Sequence, residues 1–105
     1  MITQKGVLFE RLNDIDSAKK YYYLANKEYE RELKKDPDNA ETVKGLILIK
    51  ALTSGKDDTI REIDRQIKLH PAFQLKLSGE YEYYKVFDRH NYIYNLPTEI
   101  DEDGH

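Results

Sequence analysis

Tyrosine is the residue type in this sequence with the clearest capacity for recognition chemistry. The chain of 105 residues contains nine tyrosines, and most of them occur in groups. The groups are Tyr21, Tyr22 and Tyr23, then Tyr81, Tyr83 and Tyr84, then Tyr92 and Tyr94. A tyrosine ring buries apolar area while its hydroxyl still bonds to water or to a partner, and tyrosine is enriched at protein interfaces. The pattern therefore favours a binding surface over a reaction centre.

The residue types that catalysis or metal binding would need form no recognisable arrangement. Cysteine is absent, and His70, His90 and His105 are far apart in the chain. The acidic stretch DPDNAE at 36–41 lacks the glycine and the distal glutamate of a calcium loop. There is no glycine-rich phosphate loop and no evident grouping of serine, histidine and acid. We expect no enzyme activity, no metal and no cofactor.

Charge and hydropathy restrict the partners. The net charge of −3 argues against a nucleic-acid surface, which needs concentrated lysine and arginine. The longest apolar run is the four residues 46–49, whereas a membrane span needs roughly 20. The first residues do not have the pattern of a signal peptide. We leave the compartment open: cytoplasmic if the N-terminus is native, periplasmic or lipid-anchored if a leader has been removed.

Helices are expected to position the tyrosines. Residues 2–12 form a short amphipathic pattern, which Asn13 and Asp14 interrupt, and residues 15–35 form a longer one. The buried stripe of the long helix is predicted to contain Ala18, Tyr22, Ala25, Tyr29 and either Glu32 or Leu33. Since three consecutive helical residues span about 200° of the surface, Tyr21 and Tyr23 cannot share the core with Tyr22. Tyr21 or Tyr23 then either lies flat on the surface or lines a groove or a subunit contact.

Short sequence signals mark the predicted ends of the second, third and fourth helices. Pro37 and Pro71 lie 34 residues apart, and each is expected to end a helix. Asp38 with Glu41 predicts a capping box for a third helix at 40–53, which is apolar almost all round and is the expected centre of the core. Gly55 supplies a turn, Asp57 or Asp58 is expected to cap the fourth helix, and His70 ends it.

The C-terminal part is predicted as one helix, an extended segment and a tail. A fifth helix should run from Phe73 to Arg89, and residues 91–97 should pack back on the bundle in an extended form. Residues 98–105 are an acidic stretch that we expect to be disordered. The predicted organisation is one helical domain over residues 1–97, followed by this tail.

The first hairpin resembles the tetratricopeptide repeat (TPR) family in the order and spacing of its small and aromatic residues. The matching residues are Gly6, Phe9, the turn Asn13–Asp14, Ala18, Tyr22 and Ala25. A period of 34 residues is also that of the family. The chain departs from it in two ways. The prolyl stop falls at Pro37, about seven residues late, and the second repeat has Thr59, Ile63 and Gln66 where small, aromatic and small residues are usual.

The resemblance implies a right-handed α-α superhelix of about two helical hairpins with a C-terminal capping helix. It also implies a non-catalytic scaffold that binds a protein or peptide segment in a groove. The family's clamp for a terminal carboxylate is not matched, since Thr3, Val7 and Gly45 occupy its positions.

The candidate partner-binding residues come from the tyrosine groups and the extended second helix. They are Tyr21, Tyr23, Tyr29, Leu33, Tyr81 and Tyr83. The two extra turns of the second helix are expected either to be a solvated extension or to pack Tyr29 and Leu33 on a second chain or on the C-terminal segment. The alternative function is therefore a self-associating, homodimeric helical subunit with no separate ligand.

Overall fold

The computed structural model describes residues 2–95, and within that range the chain is helical and contains no strand. The all-α prediction is confirmed. The helices are α1 (Ile2–Arg11), α2 (Ile15–Lys35), α3 (Ala40–Ser54), α4 (Lys56–Leu69), α5 (Phe73–Lys76), α6 (Ser78–Lys85) and α7 (Arg89–Tyr94). The predicted tail at 98–105 lies outside the described residues.

Short turns place consecutive helices side by side, as connections of this length do in helical bundles. Asn13 adopts a left-handed conformation with φ of 62°, and the Asp14 carboxylate accepts a hydrogen bond from the Ser17 amide at 3.2 Å. Gly55, at φ of 90°, forms the single-residue turn between α3 and α4. Glycine adopts this conformation without the steric penalty that a Cβ would bring.

The caps of α3 and α4 differ from the predicted ones. The N-cap of α3 is Asn39, whose side chain accepts from the Thr42 amide at 3.2 Å. The Asp38 carboxylate instead lies 2.7 Å from His70 Nε2. The helix α4 begins directly after Gly55 without a side-chain cap, so its two aspartates lie inside the first turn, where negative charge is favourable.

The helix α3 contributes to both hydrophobic clusters of the protein. The first cluster is Val7, Ala18, Tyr22, Ala25, Ile49, Leu52 and Ile93. The second cluster is Val43, Ile47, Ala51, Ile63, Phe73, Leu77 and Tyr84. α3 thus has buried residues in the cluster it shares with α1, α2 and α7 and in the cluster it shares with α4, α5 and α6. This agrees with its almost uniformly apolar sequence.

Two glycines allow tyrosine rings of α2 to approach the neighbouring helices closely. A Cβ on Gly6 of α1 would lie 2.5 Å from the Tyr22 ring, and a Cβ on Gly45 of α3 would lie 2.5 Å from the Tyr29 ring. Both distances are far below van der Waals contact. α2 therefore lies between α1 and α3, with one ring against each neighbour.

The predicted fifth helix is wrong in its extent. The chain forms α5 and α6 with a break at Leu77, whose side chain is fully buried, and α6 ends before Val86. The break coincides with Ser78 and Gly79, both poor helix formers, and the Ser78 hydroxyl donates to the Leu75 carbonyl at 3.0 Å.

The predicted extended form of residues 91–97 is also wrong where the structure describes it. Asp88 caps a new helix by accepting from the Asn91 amide at 3.2 Å, and α7 continues to Tyr94. The segment does pack back on the bundle, because Ile93 is fully buried in the first cluster and α7 contacts α1. Residues 96 and 97 lie outside the described part.

We expect Gly6→Ala to destabilise the protein relative to Gly79→Ala. Both substitutions remove a helical glycine, but an added methyl meets the buried Tyr22 ring in the first case and open space in the second. Overpacking of this kind costs about 1–3 kcal/mol, and the Gly79 variant should gain up to about 1 kcal/mol from helix propensity. Urea unfolding followed by circular dichroism measures the difference. Equal stability of the two variants would contradict the close packing.

Candidate functional site

A concave surface over α3, bounded by α2 on one side and α4 on the other, forms a cavity with a volume of about 540 Å³. We call it the α3 groove. Its lining residues are Lys19, Tyr22, Tyr23, Asn26, Glu30 and Leu33 from α2, Leu46, Ile49, Lys50, Thr53 and Ser54 from α3, and Glu62, Arg65 and Gln66 from α4. A volume of this size is typical of binding pockets.

The helix α2 presents a regular row of side chains to the groove. Apart from the buried Tyr22, the row is Lys19, Tyr23, Asn26, Glu30 and Leu33, spaced by four, three, four and three residues. This spacing keeps side chains on one face of a helix. The row is separate from the core stripe of the same helix, which contains Ala18, Tyr22 and Ala25. α2 therefore has one face in the core and a second face in the groove.

The α4 side of the groove carries a hydrogen-bonded set of polar groups. Arg65 donates to both Glu62 carboxylate oxygens, at 3.2 and 2.5 Å, and Gln66 donates to one of them at 2.8 Å. Partial burial of Glu62 opposes ionisation, but these hydrogen bonds and the charges of Arg65 and Lys50 outweigh it and lower the pKa of Glu62. Glu62 is therefore ionised at neutral pH, with its charge already compensated.

Three other polar side chains of the groove have no direct hydrogen-bond or ion-pair partner among the described residues, although the charge of Lys50 acts on Glu62. Lys19 and Lys50 form no ion pair, and Asn26 forms no side-chain hydrogen bond, with any residue in the range 2–95. Lys50 and Asn26 are half-buried. The remaining acid, Glu30, lies 3.7 Å from Lys27 on its own helix. The groove therefore has free donors, whereas both of its acids are paired.

The structure places two of the six predicted contact residues in the groove. Tyr23, which is 61% exposed, and Leu33 both line it. Tyr21 instead stacks on Phe9 of α1, with ring centroids 5.3 Å apart. Tyr29 is half-buried against Gly45, so this part of α2 is covered by α3 of the same chain.

The other two predicted residues lie on α6. Tyr81 is half-buried at the second cluster, with the Lys85 ammonium 5.1 Å from its ring. Tyr83 is partly exposed and packs edge-on against Tyr84 at 4.9 Å. Neither lines the groove. The six residues therefore do not form a common surface.

Sequence reasoning missed the groove residues of α3. Leu46 and Lys50 lie one helical turn apart in a helix whose other positions are mostly apolar. The sequence did contain a signal for an exposed position at Lys50, because Lys50 is the one charged residue between Lys44 and Lys56. Its position relative to α2 and α4 depends on how the helices pack, which the periodicity of one helix does not show.

A second polar cluster is buried between α1, α2, α3 and α7. The Glu10 side chain is 6% exposed, accepts from the Tyr22 hydroxyl at 2.8 Å and forms an ion pair with Arg89. Arg89 Nε also donates to the Leu52 carbonyl at 2.9 Å, and the Tyr94 hydroxyl donates to the Glu10 carbonyl at 3.3 Å. These contacts fasten α7 to the first hairpin and to α3.

This cluster borders a smaller cavity of about 400 Å³, which shares Lys19, Tyr22 and Thr53 with the α3 groove. Burial raises the pKa of Tyr22 well above its ordinary range, and its hydrogen bond to the Glu10 carboxylate raises it further. Tyr22 is therefore a neutral donor at physiological pH. The role of the cluster is to hold helices together.

Within residues 2–95 no group of three or more histidine, cysteine or acidic side chains is arranged to hold a metal ion. In the same range, no helix has the length and apolar character needed to cross a membrane.

We expect Tyr22→Phe to destabilise the protein while Tyr23→Phe leaves it unchanged. The Tyr22 hydroxyl donates to a buried carboxylate, and hydrogen bonds to charged groups contribute about 1.5–3 kcal/mol. The Tyr23 hydroxyl bonds to no residue in 2–95 and its ring is exposed. Chemical denaturation of both variants gives the free energies of unfolding. A Tyr22→Phe variant as stable as the wild type would contradict the hydrogen bond.

Stability should fall as pH rises above 10, and Tyr84→Phe should reduce that fall. Burial raises the pKa of Tyr84 far above its ordinary value of 10.0. Above pH 10 the unfolded chain releases this proton while the folded chain keeps it, so unfolding is favoured as pH rises. Unfolding free energies between about pH 8 and 11, with absorbance at the tyrosinate band, measure the effect. An unchanged slope in Tyr84→Phe would refute the assignment.

Comparisons of the chain with protein-family models, with curated proteins and with solved structures found no match.

Proposed function

We propose that this protein is a non-catalytic interaction module of TPR type, which binds a protein or peptide segment in the α3 groove. The observation that carries the proposal is the groove itself. It is open, it has apolar side chains beside uncompensated polar ones, and it is built on three packed helices. Recognition sites commonly combine an apolar surface with a few placed polar groups in this way.

The packing of the first hairpin supports the TPR-type architecture. The resemblance assigns Gly6 and Tyr22 to the close-packing glycine and the aromatic residue of one repeat, and the Tyr22 ring lies directly against Gly6. Ala18 and Ala25, in the family's small positions, are buried beside that ring in the first cluster. The proposed arrangement is two hairpins, α1–α2 and α3–α4, in a right-handed superhelix, with α5 and α6 as the closing element.

The two extra turns of α2 fit this arrangement without a second chain. Tyr29 lies against Gly45, and Leu33 packs at the edge of the second cluster. Gly6 and Tyr22 are sixteen residues apart in the sequence, and so are Tyr29 and Gly45. The extended α2 thus repeats on α3 the contact it makes on α1, and its additional length extends one side of the groove.

Self-association is the second candidate, and one observation favours it. Tyr23 and Leu24 are adjacent on α2 and are 61% and 41% exposed. A second copy that covered them would remove apolar area from water. Sedimentation velocity over a concentration series tests this, because a homodimeric subunit must show a concentration-dependent mass that Tyr23→Ala lowers.

The test of the proposed function is a selection for groove-dependent ligands. Random peptides of 15 residues, the length of α3, are selected on the wild-type chain. Affinities of the enriched peptides are then measured for Leu46→Ala, Tyr23→Ala and the control Leu75→Ala, which changes a residue that is 87% exposed on α5. Removing one groove contact should weaken binding about tenfold, which is about 1.4 kcal/mol.

The control should bind as the wild type does. If the selected peptides bound equally well to all three variants, or if no peptide were enriched, the groove would not be the binding site. Circular dichroism spectra of the variants confirm that each is folded before its affinity is compared.

A further inference from the structure

We propose that the α3 groove recognises an amphipathic helix that brings acidic side chains to Lys19 and Lys50. This inference rests on the proposed function, since it names the ligand class of the same groove. It depends on the period of the groove residues, on the apolar positions and on the distribution of unpaired charge.

The period of the α2 row matches a helical ligand. Lys19, Tyr23, Asn26, Glu30 and Leu33 repeat at alternate spacings of four and three, the spacing that two packed helices present to each other. A helix lying over α3, between α2 and α4, would add a fourth helix to three that are already side by side.

The apolar contacts of the ligand would be made by leucines of two helices. Leu33 from α2 and Leu46 from α3 are both half-buried and line the cavity, as does the buried Ile49. Helix-in-groove recognition relies on a few apolar anchor residues, so these leucines suit such a ligand. The apolar face must be narrow, because the rest of the α2 row is polar.

The unpaired charges determine the polar part of the ligand. Three bases and two acids line the groove, although the whole chain has a net charge of −3. Glu62 is bound by Arg65 and Glu30 is paired with Lys27, whereas Lys19 and Lys50 have no ion-pair partner in residues 2–95. The positive charge that remains for a ligand therefore comes from the two lysines.

Covering these lysines without compensation would be unfavourable. Lys50 is already half-buried, and a neutral ligand over it would remove water from its ammonium group without supplying an acceptor. A basic ligand would add repulsion. A carboxylate supplies both charge and acceptor, and the unbonded Asn26 amide in the same groove can donate to the ligand. A polyphosphate strand is disfavoured because Glu30 and Glu62 line the same surface.

The experiment extends the peptide selection on the full-length chain. The 15-residue random library is enriched on the wild type, and the enriched peptides are scored for apolar residues at spacings of three and four and for net acidic charge. Circular dichroism of the peptide in complex tests for helix. The affinity of an enriched acidic peptide is then measured for Lys50→Glu, Lys19→Glu and the control Lys76→Glu, which makes the same charge change on α5.

We expect helical, acidic peptides whose affinity falls at least tenfold in Lys50→Glu and is unchanged in Lys76→Glu. Replacing the glutamates of the peptide by lysine should restore binding to Lys50→Glu but not to the wild type. This reciprocal rescue would not occur if Lys50→Glu merely damaged the fold.

Three results would overturn the proposal. Groove-dependent peptides without helical period or acidic excess would refute the ligand class while leaving the proposed function intact. Absence of any groove-dependent peptide would refute both. A wild-type dimer that Lys50→Glu dissociates would show that a second copy of the chain occupies the groove.

Discussion

The burial requirement of α3 is the constraint on which the rest of the structure depends. This helix is apolar around almost its whole circumference, so it is stable only if other helices cover it on several sides. The neighbours α2 and α4 pack directly on α3. The first cluster connects it with α1, α2 and α7, and the second with α4, α5 and α6. The α3 residues that line the groove are Leu46, Ile49, Lys50, Thr53 and Ser54, and they form its floor between the neighbouring helices. The groove therefore lies over the side of α3 that the neighbouring helices do not cover.

The position of α2 follows from ring packing against glycine. Tyr22 and Tyr29 lie two turns apart on α2, and each ring occupies the space that a Cβ would fill on Gly6 or Gly45. Close approach on both sides fixes the rotation of α2 about its axis. That rotation directs Lys19, Tyr23 and Asn26 into the groove. Packing in the core and presentation of the groove residues are thus set by the same contacts.

The sequence was sufficient for the first four helices but not for the C-terminal part or most of the site. Pro37, Gly55 and Pro71 are local signals, and local signals determine where α2, α3 and α4 end. The break at Leu77 and the start of α7 have local signals in Ser78, Gly79 and Asp88, but the sequence pattern does not show that Leu77 and Ile93 are fully buried by other elements. Hydrophobic period alone therefore predicted a continuous helix and an extended segment.

The candidate site also contains residues that the sequence could place and residues that it could not. Tyr23 was a groove candidate because it cannot share the core with Tyr22, but the same reasoning applied to Tyr21, which packs on Phe9 instead. Leu33 was predicted only as a stripe or contact residue of α2. Tyr81 and Tyr83 could not be excluded, since the position of α6 relative to α2 is not encoded in either helix. The contact of Glu10 with Arg89 spans 79 residues and follows no periodic pattern. This contact holds α7 against α1, and it therefore affects the cooperativity of unfolding. Helices stacked only on their sequence neighbours can fray from either end, whereas here α1 and α7 cover each other, so opening one end of the chain exposes the other and the two ends should unfold as a single unit.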